Sequence, residues 1–143
     1  MIAHATCIAL AGAGVLLRGP SGSGKSNLAL RLMERGARLV ADDCTALSRD
    51  GDAVLARAPE TVRGVMEVRG VGVVRVPYQE SIAVDLIVDL LPAPDAERVP
   101  EPGSDELLGR PVRRIALHAF EEAALAKLEL AARLARREDA WLT

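Results

Sequence analysis

Eight residues constrain this chain more than any others. Gly19-Pro20-Ser21-Gly22-Ser23-Gly24-Lys25-Ser26 match G-x-x-x-x-G-K-[ST] at every fixed position, after the apolar run Val15-Leu16-Leu17 and before a segment of helical periodicity. The spacing has a chemical reason: glycines let the backbone wrap an anion with its N–H groups, and the helix that follows turns its positive end toward that anion. Lys25 then supplies a point charge for terminal phosphates, and the Ser26 hydroxyl offers an oxygen ligand to Mg²⁺. The chain carries sixteen Arg and only two Lys, yet a Lys stands where this motif requires one. Gly19 to Ser26 are therefore the expected nucleotide-binding residues.

A guanine-reading N-K-x-D element is absent, because the sole Asn is Asn27 at the helix start, so ATP is the expected nucleotide. Asp42-Asp43 close an apolar strand seventeen residues beyond Lys25, a distance that returns both carboxylates to the phosphate end of a sheet. One carboxylate suits Mg²⁺, and the other suits accepting a proton from an attacking hydroxyl. A turn that uses acids for Asx hydrogen bonding is the structural alternative. Asp85 and Asp89 form a rival metal pair, since a four-residue spacing in a strand puts both on one face.

At 143 residues the chain fits one domain, 1–143, and leaves no room for a second core. No run reaches the ~18 apolar residues of a membrane span, and no basic region precedes an apolar run at the N-terminus, so a soluble, cytoplasmic protein is expected. A net charge of −2 and three aromatic residues argue against nucleic-acid binding. Cys7 and Cys44 lack metal-ligand spacing and read as small buried or semi-buried thiols.

Composition along the chain predicts an α/β fold with a β-rich sheet core, a helix after the phosphate loop and a C-terminal helix. Residues 2–10 and 15–17 read as two strands with a tight connection, and a helix of about three turns follows Gly24 and stops at Gly36. Residues 38–41, 45–47, 53–57, 65–68 and 71–76 are short β runs, and 81–91 is the expected central strand. The segment 92–111 carries five prolines and reads as a loop. Residues 120–137 place Leu125, Leu128 and Ala132 on one row of an amphipathic helix whose terminal Arg133, Arg136 and Arg137 suit the helix dipole in solvent.

The sequence resembles the catalytic domain of bacterial HPr kinase/phosphorylase, in the short form found in alphaproteobacteria. The phosphate loop, His4 near the start, Arg35-Gly36-Ala37-Arg38-Leu39-Val40-Ala41-Asp42-Asp43 and Met66-Glu67-Val68-Arg69-Gly70-Val71-Gly72 occur in the family's order and cover roughly residues 1–91. The resemblance implies a P-loop kinase domain of HPr kinase type that uses ATP and Mg²⁺ to phosphorylate a seryl hydroxyl of an HPr-like phosphocarrier protein. It also implies phosphorolysis in reverse and a homo-oligomer, hexameric in the family. By the same resemblance, Lys25 is catalytic, Asp42 is the base of the forward reaction and the acid of the reverse, Asp43 and His4 assist it, Ser26 and Glu67 lie at the metal, and Arg69 positions the reaction. For the Arg of the family's Gly-Arg-Asn loop the chain offers Arg110 or Arg113. Two other readings stand beside this one: a small-metabolite kinase with Arg98, Arg110, Arg113 and Arg114 in a lid, and a nucleotide-sensing module that binds without transfer.

Overall fold

A computed structural model describes residues 1–93 and 103–143. The first strands are β1 (Ile2–Ala3), β2 (Ala5–Leu10) and β3 (Ala13–Arg18), followed by helix α1 (Lys25–Met33). Next come β4 (Arg38–Ala41), β5 (Thr45–Asp50), β6 (Ala53–Arg57), β7 (Val65–Val68), β8 (Gly72–Arg75) and β9 (Ile82–Leu90). Strands β10 (Gly103–Leu107) and β11 (Arg110–Leu117) precede helix α2 (Ala124–Leu134). Among the described residues, nine strands form one curled mixed sheet in which β9 pairs with β3, β6 and β11, while β7 and β8 form a separate hairpin.

Alternation along the strands divides the apolar residues between two faces. Ile8, Val15, Leu17, Leu86, Val88 and Leu90 pack against Leu28 and Leu32 of α1 and Leu128 and Ala132 of α2. Cys7, Leu16, Ile87, Val54, Leu107 and Val112 fill the other face, where the curl of the sheet brings β6, β10 and β11 over β2 and β3. Burial pushes the Cys7 thiol up to about 12, which leaves it an inert packing residue, and Cys44 is half-buried.

The turn of α1 into β4 sets the direction of the chain back to the site. Gly36, at φ 103°, takes the left-handed position after the helix, with its N–H bonded to Met33 O and the Ala37 N–H bonded to Leu32 O, the Schellman pattern. β3, β9 and β11 run parallel, so their C-terminal ends share one edge of the sheet. β2 runs antiparallel with Ala5 opposite Arg18, which brings its start to that same edge.

The segment 92–111 is only partly a loop, and its residues 94–102, Arg98 among them, lie outside the described residues. Gly103–Leu107 and Arg110–Leu117 form a hairpin joined by Leu108 (φ 50°) and Gly109 (φ 80°), the positive pair of a type I′ turn. Arg113 and Arg114 therefore belong to a strand paired with β9. The Arg114 guanidinium bonds to Asp89, and that of Arg113 lies 3.9 Å from the centre of the Trp141 ring. The C-terminal helix is shorter than 120–137 because Phe120 turns out toward the phosphate loop before α2 begins. At its other end the Trp141 indole N–H donates to Leu134 O, and Arg136, exposed to solvent, also faces Asp85 at 3.8 Å.

Candidate active site

Gly19 to Ser26 connect the end of β3 to the start of α1 at the edge where the parallel strands end. Gly24 caps the helix at φ 100°, a region that disfavours any side chain, and a Cβ there would stand 2.8 Å from Ala119 Cβ and 2.9 Å from the Phe120 ring. The loop is thus clamped from the side by the turn after β11. Lys25 is buried, with only 7% of its surface exposed, and its Nζ donates to Gly19 O at 2.5 Å and Pro20 O at 3.3 Å. The Ser23 hydroxyl is buried inside the loop without a hydrogen-bond partner among the described residues.

β4 delivers both aspartates to this loop. Its pairing with β2 shifts register between Cys7 and Ile8, so Ala41 lies opposite Cys7 and the next two residues reach Thr6 and Ser26. Asp42 Oδ1 accepts from Ser26 Oγ at 2.6 Å and Thr6 Oγ1 at 3.3 Å, and Oδ2 accepts the Glu67 N–H at 3.2 Å. One carboxylate therefore ties the phosphate loop, β2 and the β7–β8 hairpin together. Asp43 differs in every respect. It has φ 60°, its N–H donates to Thr6 Oγ1 at 3.0 Å, and its side chain is 70% exposed with Oδ1 3.7 Å from Lys25 Nζ.

The remaining expected residues divide into those near this centre and those elsewhere. Glu67 has its backbone at Asp42 and an exposed side chain. His4 is exposed and precedes Ala5, so the β2–β3 register places it at the loop's edge of the sheet. Arg69 is exposed, at the start of the turn that joins β7 to β8. Arg110 opens β11 at the N-terminal end of the parallel strands, and Arg113 pairs with Leu86 midway along β9. The phosphate loop is at the other end of these strands.

Asp85 and Asp89 are not a metal pair. β3 and β9 shift register where Gly14 pairs with Val84 and Val15 with Leu86, leaving Asp85 as the extra residue of a bulge. Asp85 then accepts from the Gly14 N–H at 3.4 Å and faces Arg136, whereas Asp89 bonds to Arg18 on β3 and to Arg114 on β11. Burial raises the Asp85 carboxyl above its usual value against the pull of Arg136. For Asp89 burial acts upward too, but the hydrogen bonds from Arg18 and Arg114 outweigh it and hold the carboxyl below the usual range.

Sequence reasoning missed Thr6 and the turn His118-Ala119-Phe120. Thr6 is a hydroxyl between Ala5 and Cys7 in a strand whose other inner positions are apolar, which is the signal that would have marked it. His118 Nδ1 lies 2.9 Å from Leu91 O, and Ala119 O accepts from Arg31, so this turn is held between β9 and α1.

The HPr Serine kinase C-terminal domain family model matches residues 1–115. An HPr kinase/phosphorylase of Leptothrix cholodnii is 40% identical over an alignment of 127 residues that covers 80% of this chain and 39% of that protein. One from Bacillus subtilis is 45% identical over 74 residues, 51% of this chain and 24% of that protein. The chain thus spans well under half the length of these curated relatives. The solved structure of the Hpr(Ser) kinase/phosphatase from Coxiella burnetii superposes with a TM-score of 0.83 at 25% identity, covering 97% of this chain and 92% of that one.

Proposed function

Because the chain belongs to the HPr serine kinase C-terminal domain family, we propose that it transfers the terminal phosphoryl group of ATP to a seryl hydroxyl of an HPr-like carrier protein. The observation that carries this reading is the pairing at one sheet edge of a buried Lys25 in a phosphate loop with an exposed Asp43 carboxylate 3.7 Å away. A charge for the phosphates and an acceptor for a proton then stand side by side, which is what phosphoryl transfer to a hydroxyl needs. The unpartnered Ser23 hydroxyl and the helix start at Lys25 fit an anion in the loop.

The hydrogen bonds favour exchanging the two aspartate roles implied by the family resemblance. Asp42 already accepts from three donors and fits the part that orients Ser26, while Asp43 keeps its lone pairs open. In the forward reaction Asp43 takes the proton of the seryl hydroxyl as its oxygen bonds to phosphorus and the bond to ADP breaks. Protonated, the same group returns that proton to the seryl oxygen when inorganic phosphate attacks phosphoserine, the seryl O–P bond breaks and pyrophosphate leaves. Lys25 and the loop N–H groups hold the phosphates, and His4 at the same edge assists Asp43.

The oxygens joined at Ser26 are its own hydroxyl and the Asp42 carboxylate, and Glu67, whose backbone N–H donates to Asp42, carries a further exposed carboxylate. Such a set suits Mg²⁺, which retains waters and takes one or two carboxylates beside substrate phosphates. Bound there, Mg²⁺ would offset charge on the transferring phosphoryl group. The HPr-like partner, a homo-oligomeric assembly and a cytoplasmic setting belong to the same proposal, and no helix among the described residues is long and apolar enough to cross a membrane.

Incubating the purified chain with γ-labelled ATP and HPr-like proteins tests the reading. Label on a seryl residue supports it. No label on any of them, from a chain that binds ATP, would favour a sensing module.

A further inference from the structure

Among the described residues, Thr6 is the one whose side chain hydrogen-bonds to both aspartates, and the reaction as read above makes no use of it. Its hydroxyl is fully buried on β2, directly across from Leu17. A valine would fill the same volume without a polar atom, and a hydroxyl placed there is stable only if its bonds are made. They are made to two groups. The Thr6 proton goes to Asp42 Oδ1 at 3.3 Å, and a lone pair accepts the Asp43 N–H at 3.0 Å.

The second bond falls on a strained residue. Asp43 has φ 60°, a left-handed conformation uncommon outside glycine, which Asp adopts when local hydrogen bonds support it. That conformation also directs the Asp43 carboxylate toward Lys25 instead of back along the strand. The neighbouring bond helps fix Asp42 under Ser26, on the helix that carries Lys25. One hydroxyl therefore sets the angle between two carboxylates with different tasks.

We propose that Thr6 is a positioning residue for phosphoryl transfer, which holds the Asp42-Asp43 turn in the conformation that presents Asp43 to the phosphate site. The proposal rests on the functional reading above. Thr6 itself touches no substrate; it acts through the Asp43 N–H and the Asp42 carboxylate. Removing its hydroxyl leaves the Asp43 N–H without its partner and frees the turn to relax, while the phosphate loop keeps its own bonds.

The test compares Thr6→Val, which keeps shape and loses the hydroxyl, with Thr6→Ser, which keeps the hydroxyl. Two readouts are taken on the same proteins: hydrogen exchange at the Asp43 amide, followed by NMR, and steady-state transfer from Mg-ATP to an HPr-like protein. In Thr6→Val the amide exchanges at least ~10-fold faster, as expected for a lost hydrogen bond. Its kcat falls by roughly 10²-fold, the scale of an ångström-sized misplacement, with KM for ATP within about threefold of the parent. Thr6→Ser restores both. Unchanged exchange in Thr6→Val overturns the proposal, and so does faster exchange with parent-like kcat. A Thr6→Val protein that does not fold leaves the decision to Thr6→Ser, where slow amide exchange and parent kcat support the proposal and loss of either overturns it. If the parent transfers nothing to HPr-like proteins, the functional reading fails, and Thr6 is then judged by amide exchange alone, on the same criteria.

Discussion

The Ser26 hydroxyl donates to Asp42 Oδ1 at 2.6 Å, joining the first turn of α1 to the end of β4. This bond fixes where the phosphate loop stands relative to the aspartates, and it occupies the carboxylate to which the family resemblance assigns the proton. Asp42→Asn places an amide where Ser26, Thr6 and the Glu67 N–H all donate, so the loss is one of orientation and metal affinity. Mg²⁺-dependent ATP binding is expected to weaken by roughly 10-fold or more, about 1.4 kcal/mol, for loss of a charged acceptor. Calorimetry with and without Mg²⁺ reads this directly, and equal ATP affinity in Asp42→Asn and parent would remove Asp42 from the metal side.

Lys25→Ala removes the cation held inside the loop. ATP affinity should drop at least ~10-fold, taking a charge-assisted hydrogen bond at roughly 1.5–3 kcal/mol. Among the described residues the side chain bonds only to loop carbonyls and faces Asp43, so thermal unfolding of the variant is expected to stay within a few degrees of the parent. Parent-like binding in the folded variant would exclude this loop as the nucleotide site.

Gly24→Ala probes the clamp between the loop and the turn after β11. The new methyl meets φ 100° and a buried Ala119 at 2.8 Å, and although the exposed Phe120 ring can move aside, Ala119 cannot. A destabilisation of about 2 kcal/mol or more is expected from the left-handed backbone and the overlap. Chemical denaturation measures it; a variant as stable as the parent would mean the clamp yields.

Asp89 makes stability depend on pH. Burial raises its carboxyl, but the bonds from Arg18 and Arg114 bring the net value below that of an unfolded carboxylate. A lowered folded value means the stabilisation is complete above the unfolded value of about 3.9 and is lost as pH falls through the folded one. Asp89→Asn should therefore unfold at lower temperature than the parent at pH 7, with the gap closing below about pH 4. A gap that stays constant between pH 7 and pH 3 would contradict the ion-pair account.

How far this site could be read from sequence depended on whether the residue type or the backbone carried the information. Gly24, Lys25 and Ser26 were legible because an anion cradle admits few residue types at those positions. The Asp42-Asp43 pair was legible as a pair, but which carboxylate faces outward was not, since the φ of Asp43 and the Thr6 hydroxyl decide it. Asp85 and Asp89 misled because a bulge at Gly14 breaks the alternation that four-residue spacing assumes. β10 read as a loop because its sequence Gly-Ser-Asp-Glu-Leu has strand polarity only in context: Asp105 meets Arg18 across the sheet, at 2.8 Å.

The role of Asp43 is tested by one comparison, single-turnover transfer from saturating Mg-ATP to an HPr-like protein by the parent and by Asp43→Asn, with ATP affinity measured alongside. A seryl hydroxyl needs a proton acceptor within hydrogen-bond reach, and Asp43→Asn keeps the shape while removing that acceptor. The account predicts ATP affinity within a few-fold of the parent and a transfer rate lower by ~10²–10⁴, the usual range for loss of a general base. Transfer by Asp43→Asn at close to the parent rate would contradict it.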